Sequence, residues 1–317
     1  MRGRARHIFS TMKFTPPTRD GVGASCVVSP AGDWRTTLEF LSEHFAAISR
    51  EEWSMRLARG DVTEESGERI APETPFSPYR KIYYYRAVAD EPHIPFEETI
   101  LFQDEHIVVA DKPHFLPVVP AGRFVQETLL VRLKCKLGID TLAPAHRIDR
   151  GTAGLVLFTI QPIARDAYQR LFRDRLVRKY YEAIAPTTSV HSFPLTRRTR
   201  LSKGDAFMQM REVPGAPNSE THIELIETRG TMARYALRPV TGQKHQLRVH
   251  MAALGIAIVN DRLYPNLLAE EACDDYLKPL QLLAKEIAFD DPITGQSRRF
   301  SSNQRMMPLE THVSAST

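Results

Sequence analysis

The sequence predicts an α+β fold: a mixed, mostly antiparallel sheet with flanking helices, preceded by a small N-terminal α/β unit. Strand-like segments are joined mainly by short turns rather than by regular crossover helices, which favours antiparallel pairing. Residues 223–227 and 234–238, for example, flank an Arg229-Gly230 turn as a hairpin. The 317 residues, 42% of them hydrophobic, suffice for a substantial core.

The chain divides into four predicted segments. Residues 1–32 are rich in Gly, Pro, Ser and Thr and predict a disordered arm. Residues 33–90 predict a small unit of two helices, the first capped by Asp33 and the second ended by Gly60, with a Tyr-rich strand at 82–85. A larger domain is expected at residues 95–300, and residues 301–317 predict a disordered tail.

The elements of the larger domain follow from apolar spacing and glycine punctuation. Helices are expected at 126–137, where Gly138 follows, and at 245–254, where Gly255 follows. Strands are expected at 106–110, 154–159, 180–185, 283–289 and 297–300.

Composition excludes several classes of protein. Charged residues make up 25% of the chain, which is ordinary for a folded protein, and no apolar run approaches the roughly 20 residues of a membrane span. Three scattered cysteines predict neither a disulfide framework nor a metal site, and they favour a reducing compartment. The basic first residues lack the apolar core of a secretory signal, which leaves a transit peptide, an RNA-touching arm or a plain disordered tail.

The net charge of +4 is unevenly distributed. Residues 170–211 carry ten basic and three acidic side chains, interleaved with aromatic residues, whereas residues 90–111 carry seven acids and neither lysine nor arginine. A basic block of this kind predicts either a polyanion-binding surface or a solvated face, and composition does not separate the two.

Two short segments carry the residues best suited to chemistry. In the first, residues 144–155, Asp149 lies between Arg147 and Arg150, whose positive charges favour the ionised carboxylate. Such an aspartate could act as a nucleophile or a general base, and the alternative is an ordinary surface ion pair.

The second segment, residues 241–250, places Lys244, His245, Arg248 and His250 in the first turns of a helix, where basic residues oppose the helix dipole. A local conflict of this kind is expected more often at functional sites than elsewhere. The alternative is that both histidines are hydrogen-bonded packing residues.

These segments resemble the RluA-type RNA pseudouridine synthases. The stretch His146-Arg-Ile-Asp-Arg-Gly-Thr-Ala-Gly-Leu155 is similar to the catalytic signature of that family. In the same order as in the family, residues 110–113, 177–183 and 241–264 resemble its strand-and-turn motif, its Lys-x-Tyr segment and its third motif. The resemblance covers residues 97–300.

The resemblance implies a role for each matching residue. Asp149 would be the catalytic aspartate, Arg248 would pair with it, and Tyr181 would stack on the target base. Arg147 would insert where the flipped base leaves the RNA, and Leu247 would line the uracil pocket. The RNA-facing cations would be Lys179, Arg150 and Lys244.

The resemblance also implies an isomerase that moves uracil from an N1 to a C5 linkage in ribosomal or transfer RNA, without a cofactor or metal. We expect a cytoplasmic monomer with RNA as its partner and no membrane association. Two other classes stay open: an RNA-binding assembly factor without the chemistry, and a hydrolase that releases free uracil.

Three departures from the family pattern stand out. Ala153 replaces the usual Ser, Gln243-Lys244 replaces Arg-Thr, and Tyr79-Arg80 replaces the Gly-Asp of the small RNA-binding domain that residues 33–88 weakly resemble. We expect the first change to spare catalysis, because Ala and Ser are similar in size, and the second to alter substrate choice. The N-terminal unit is either an RNA-binding domain or a structural appendage.

Overall fold

The computed structural model describes residues 16–86, 88, 90–204, 206, 208–268 and 274–309. Within them the chain separates into two compact units, Met1–Asp90 and Glu91–Thr317. None of the described helices is long and apolar enough to cross a membrane.

The N-terminal unit packs two helices against a three-stranded antiparallel sheet. The helices are α1 (Thr37–His44) and α2 (Arg50–Arg59), and the strands are β1 (Ser25–Val28), β2 (Val62–Glu64) and β3 (Lys81–Tyr84), in the spatial order β1-β3-β2. Helix α2 ends at the predicted Gly60, which is left-handed at φ 74°, and it begins after Ser49, whose side chain accepts from the Glu52 amide. Trp53 and Leu41 are fully buried in the core between the layers.

The start of this unit differs from the sequence prediction in two respects. The N-cap of α1 is Thr36 rather than Asp33, because the Thr36 hydroxyl accepts the Glu39 amide. The predicted disordered arm contains strand β1, which pairs with β3 along its whole length. This segment is ordered by backbone pairing, which the pattern of its side chains does not reveal. Residues 1–15 of the predicted arm lie outside the described residues.

The second unit is built on a sheet of eleven strands, all within the described residues. Its strands are β4 (Thr99–Gln103), β5 (Ile107–Lys112), β6 (Ala143–Pro144), β7 (Ala153–Thr159), β8 (Arg178–Pro186), β9 (Leu195–Lys203), β10 (Met210–Val213), β11 (Ser219–Arg229), β12 (Met232–Pro239), β13 (Leu282–Asp290) and β14 (Ser297–Ser301). Its α-helices are α3 (Leu129–Leu137), α4 (Arg165–Arg173) and α5 (Gln246–Ala253). The α+β class with a mostly antiparallel sheet is confirmed.

The spatial order is β10-β9-β11-β12-β8-β13-β7-β5-β4, with β14 beside β13 and β6 beside β7. Of these pairings only β13 with β7 is parallel, joining Leu283 to Ala153. Gly154 makes that approach feasible: its φ is 109°, and an added Cβ would lie 2.2 Å from the Ala284 carbonyl oxygen. The parallel pairing therefore fixes the chain just after the segment that contains Asp149.

Helix α4 and strand β9 were missing from the sequence prediction. In α4 only Tyr168 and Leu171 are buried, so polar side chains dominate its sequence. In β9 three of the nine residues are arginines, at 197, 198 and 200, and Arg198 pairs with Glu220 of the neighbouring strand β11. The predicted basic block is thus divided among separate elements.

The predicted tail is also partly ordered. Asp111, at 0% exposure, accepts hydrogen bonds from the Ser302 hydroxyl at 2.7 Å and the Asn303 amide at 2.6 Å. Leu309 is 3% exposed. A buried carboxylate that needs donors therefore holds the chain beyond residue 301, and residues 310–317 lie outside the described part of the chain.

Candidate active site

A cleft of about 100 Å³ opens where the loop before β7 meets β8 and the start of α5. Its lining comprises Arg147, Ile148, Asp149, Thr152, Lys179, Tyr181, Pro239, Thr241, Gly242, Gln243, His245, Gln246, Leu247, Arg248 and Leu282. The volume is well below the roughly 300–1,000 Å³ of sites for drug-sized ligands. It suits one flat ring entering from a larger molecule.

The loop that carries Asp149 is fixed by hydrogen bonds at both ends. Before Asp149, the His146 Nε2 atom accepts the Leu157 amide at 3.1 Å, and the imidazole stacks on Phe172 at 4.2 Å. After Asp149, its own carbonyl accepts the Thr152 amide at 3.1 Å. Burial lowers the pKa of His146 to about 3, so the ring stays a neutral acceptor.

Lys112 supports the same loop from below. Its side chain is fully buried, and Nζ donates to the carbonyls of Pro113, Leu116 and Arg150 at 2.9, 2.7 and 3.1 Å. Burial lowers the pKa of Lys112 to about 7, and the Asp149 carboxylate opposes that effect. Three backbone acceptors satisfy its three donors, so Lys112 is an anchor rather than a group facing the cleft.

Asp149 and Arg248 form the central ion pair. Arg248 Nη1 donates to Asp149 Oδ2 at 3.1 Å, while its Nε and Nη2 donate to the two oxygens of Asp261 at 2.8 and 2.6 Å. The Asp261 side chain is 1% exposed and that of Asp149 is 27% exposed. The bidentate bond to Asp261 therefore fixes the guanidinium, which presents its remaining edge to Asp149.

Tyr181 and Leu247 form the apolar side of the cleft. Leu247 is 7% exposed, and Tyr181 packs against the same hydrophobic cluster, which includes Ala183 and Leu237. Burial, followed by the Asp149 charge, raises the pKa of Tyr181. The phenol is therefore held neutral beside a carboxylate, where its ring offers a flat stacking surface.

The predicted RNA-facing cations occupy different positions. Arg147 is exposed at the cleft, and Lys244 is exposed beside it, next to His245. Lys179 lines the cleft and donates to the Thr241 carbonyl at 2.9 Å. Burial and the nearby Arg175 lower the pKa of Lys179 to about 8.

Arg150 and Lys244 differ from Arg147 and Lys179 because their side chains are not part of the cleft lining. The Arg150 guanidinium forms an ion pair with Asp274 and lies 4.6 Å from the centre of the Phe124 ring. The structure thus places six of the predicted site residues in one cleft, with Lys244 beside it and the Arg150 side chain paired elsewhere: Asp149, Tyr181, Arg248, Arg147, Leu247 and Lys179.

The sequence reasoning missed Asp261 as a member of the site, although it lies within the third motif. It also left the role of His245 undecided. The signal that could have revealed Asp261 is an acid in a segment of otherwise apolar spacing, because a buried carboxylate requires a cationic partner. Gln246 was missed as well: its amide joins Thr241, Thr221 and the Glu220 carbonyl, and so fixes the start of α5.

The departures from the family pattern have clear positions. Ala153 is fully buried in β7 and pairs with Leu283 of β13. Gln243 lines the cleft and its side-chain amide donates to the Asn218 carbonyl at 3.4 Å, whereas the neighbouring Lys244 projects into solvent.

The cleft holds one partly exposed carboxylate between an arginine and a tyrosine, an arrangement suited to an enzyme that acts on a single flat ring. The family described as RNA pseudouridylate synthase matches residues 106–253. An uncharacterized RNA pseudouridine synthase of Synechocystis is 31% identical over 231 residues, which cover 72% of this chain and 78% of that protein.

A dual-specificity RNA pseudouridine synthase RluA of Haemophilus ducreyi is 32% identical over 219 residues, which cover 66% of this chain and 93% of the relative. Among solved structures, human RNA pseudouridylate synthase domain containing 1 shares the fold, with a TM-score of 0.55 at 20% identity, covering 68% of this chain and 86% of that chain. The chain belongs to the RluA-type RNA pseudouridine synthases and is an enzyme of that class.

Proposed function

We propose that the chain converts uridines of ribosomal or transfer RNA to pseudouridine with Asp149 as the catalytic group. The observation that carries this assignment is the hydrogen bonding of its carboxylate. Among the described residues, Arg248 is the one side chain within hydrogen-bond distance of it, on Oδ2, so Oδ1 keeps its acceptor capacity at the cleft. The words dual-specificity in the name of the Haemophilus relative support testing more than one RNA substrate.

In the proposed reaction the target uridine leaves its stack and enters the cleft, at a cost of a few kcal/mol that stacking partners offset. The ring of Tyr181 stacks on the uracil and Leu247 packs on its edge. Arg147, exposed at the cleft mouth, fills the place that the base leaves, and Lys179 and Lys244 bind backbone phosphates.

Asp149 then attacks or deprotonates the ribose. The electron pair of the N1–C1′ bond departs with the uracil, which turns and forms the C5–C1′ bond. The proton on C5 is lost and N1 carries a proton, so the product is an isomer of the substrate. Arg248 holds the Asp149 carboxylate in place for this step by the hydrogen bond to Oδ2.

Arg150 is proposed as an RNA contact of a different kind, because its guanidinium is already paired with Asp274. An RNA phosphate would compete with that carboxylate for the same donors. We expect an Arg150→Ala change to weaken RNA binding less than a change of Lys244.

For residues 33–90 an RNA-binding role is also proposed, with a structural appendage as the alternative. Arg50 and Arg59 are exposed on α2, whereas Arg56 is 8% exposed and donates to Glu52 at 2.7 Å. A paired Arg50→Ala and Arg59→Ala variant that binds RNA as tightly as the wild type would favour the appendage. Localisation in the cytoplasm and a monomeric state are likewise proposals, tested by imaging of the tagged chain and by light scattering.

The testing experiment incubates the purified chain with ribosomal and transfer RNA labelled with tritium at C5 of uridine. The expected result is tritium release together with C5-linked uridine in the RNA. Free uracil would instead indicate a hydrolase. RNA binding without either product, unchanged by Asp149→Ala, would indicate an assembly factor.

A further inference from the structure

His245 has an unusual backbone for its position at the start of α5. Its φ of 56° is left-handed, a region that costs a residue other than Gly roughly 1 kcal/mol or more. The side chain makes no capping hydrogen bond to the helix and is only 5% exposed. The strained backbone therefore directs the imidazole into the cleft rather than onto the helix end.

A chain of hydrogen bonds orients the ring of His245. The Met210 amide donates to the Tyr264 hydroxyl oxygen at 2.7 Å, and that hydroxyl lies 2.9 Å from His245 Nδ1. Because the oxygen accepts from Met210, its own hydrogen is available for Nδ1. Nδ1 is then an acceptor, and the single proton of the neutral ring is on Nε2.

Nε2 of His245 faces the catalytic carboxylate. It lies 3.8 Å from Asp149 Oδ1, the oxygen opposite the one that Arg248 holds. This distance exceeds the roughly 2.7–3.2 Å of a hydrogen bond, and donors of catalytic groups commonly close such gaps only when substrate is bound. Asp261 fixes the neighbouring parts of this arrangement, because it holds Arg248 and also accepts the amide of Tyr264 at 3.1 Å.

We propose that His245 is a positioning residue for Asp149: Tyr264 fixes its tautomer, and its Nε2–H orients Oδ1 toward the ribose of the target uridine. Arg248 and His245 then hold one carboxylate oxygen each, which sets the plane of the carboxylate. The inference rests on the proposed role of Asp149.

The ring acts as a neutral donor throughout the working range of pH. Burial lowers the pKa of His245 to about 4; the carboxylates of Asp149 and Asp261 oppose this effect, and the cations of Arg248 and Lys244 add to it. Together with Tyr264 these are the titratable and charged groups that face the ring. A change at His245 should therefore act on kcat through the orientation of Asp149 and not through a proton that the ring itself gains or loses.

Two substitutions separate positioning from packing. In His245→Asn the shorter amide can still bond Tyr264 but does not reach Asp149, and Asn tolerates a left-handed backbone. In His245→Gln the longer amide places an N–H donor near the position of Nε2. Both are assayed as full-length protein by tritium release from the labelled RNA that the wild type modifies.

For His245→Asn we expect kcat to fall about tenfold, the kinetic equivalent of one hydrogen bond to a charged group, with KM within about twofold of wild type. His245→Gln should recover most of the lost rate. Wild-type kcat in His245→Asn overturns the inference, as does a loss that falls on KM rather than on kcat or that His245→Gln does not relieve.

Asp149→Asn, assayed on the same RNA, separates the role of His245 from the role of Asp149. If Asp149→Asn is inactive while His245→Asn matches the wild type, only the positioning role fails. If Asp149→Asn retains activity, the proposed function of Asp149 fails, and the role of His245 fails with it.

Discussion

Two largely buried arginines in the second unit are each shared by two aspartates, but only one of these arrangements is open to chemistry. Arg248 joins buried Asp261 to Asp149, and Arg298 joins buried Asp291 to Asp104. The outer carboxylates are nearly equally exposed, at 27% for Asp149 and 24% for Asp104. Exposure alone therefore does not distinguish the two sites.

Hydrogen bonding does distinguish them. Asp104 Oδ1 accepts the amides of His106 and Ile107 at 2.8 and 2.9 Å, and its Oδ2 accepts from Arg298 at 3.0 Å. The two amide hydrogen bonds of Asp104 stabilise the turn between β4 and β5. Asp149 accepts from Arg248 on one oxygen, and the other faces His245 and the cleft.

The inner carboxylates both accept backbone amides but differ in how they hold the arginine. Asp291 uses Oδ1 for the Tyr168 hydroxyl at 2.9 Å and for two amides of the turn between β13 and β14, and its Oδ2 lies 3.5 Å from Arg298 Nε. Asp261 accepts the amides of Leu263 and Tyr264 and also holds Arg248 by two hydrogen bonds, which direct it toward Asp149. The same residue types thus build a structural link at Asp104, where both oxygens accept hydrogen bonds, and a reactive group at Asp149, where one oxygen is left over.

The largest expected effect is the loss of activity in Asp149→Asn, measured against the same change at the other outer aspartate, Asp104. Asp149→Asn should lower the rate of pseudouridine formation by about 10³-fold or more, because it removes the reacting group. Its melting temperature should stay within a few degrees of wild type. Tritium release and thermal denaturation measure the two quantities.

Asp104→Asn is the matched control. It should keep wild-type activity per folded molecule and lower the free energy of unfolding by roughly 1–3 kcal/mol, because a satisfied turn loses charge-assisted bonds. An Asp104→Asn protein as inactive as Asp149→Asn would contradict the contrast.

The two arginines provide the next test. Arg248→Lys retains the charge but not the planar set of donors that reaches two carboxylates, so we expect kcat to fall by about 10²-fold. Arg298→Lys should leave kcat unchanged and lower only the melting temperature. Steady-state kinetics of both variants measure these effects. A wild-type kcat for Arg248→Lys would contradict the proposed role of Arg248.

The free energy of unfolding at acid pH should depend on four histidines of the second unit. Burial lowers the pKa of His114, His245 and His250 to about 4 and that of His146 to about 3. The unfolded chain binds these protons near pH 6.5, so stability is full above that pH and declines as the pH falls from about 6.5 toward 4. Each histidine contributes a slope of roughly 1.4 kcal/mol per pH unit within that window.

His114→Asn isolates one of these contributions. The amide can replace Nδ1, which lies 2.7 Å from the Gly151 carbonyl, but it does not titrate. Urea unfolding at pH 5 and pH 6 should give a slope smaller by about 1.4 kcal/mol per pH unit than in the wild type. An unchanged slope would mean that His114 does not titrate differently on unfolding.

The smallest effect concerns RNA affinity. Lys244→Ala at the cleft should weaken binding to ribosomal or transfer RNA severalfold and lower the salt slope by about one, because one phosphate contact is lost. Arg299, which is equally basic, lies 3.6 Å from Glu286 next to the Arg298 site. Arg299→Ala should leave the affinity and the salt slope unchanged in filter binding at several salt concentrations. Equal effects of the two changes would mean that Lys244 has no special role in RNA binding.

Local features of the sequence determined much of this protein. The spacing of apolar residues, with Ser49 before and Gly60 after, specified α2, and Gly138 specified the end of α3 at Leu137. The hairpin of β11 and β12 followed from its turn at Arg229-Gly230. The segments that contain Asp149, Tyr181 and Arg248 could also be found in the sequence, because residue types within ten positions of one another specify them.

Only the tertiary structure decided how these segments meet. Asp149 and Arg248 are 99 positions apart, and the parallel pairing of β7 with β13 is set by a close approach at Gly154. The selection of Asp261 as the partner of Arg248 and the orientation of His245 depend on the same packing. Capping and periodicity act over a few residues of one segment, whereas ion-pair choice and burial depend on which distant segments share a space, and that is a property of the folded chain.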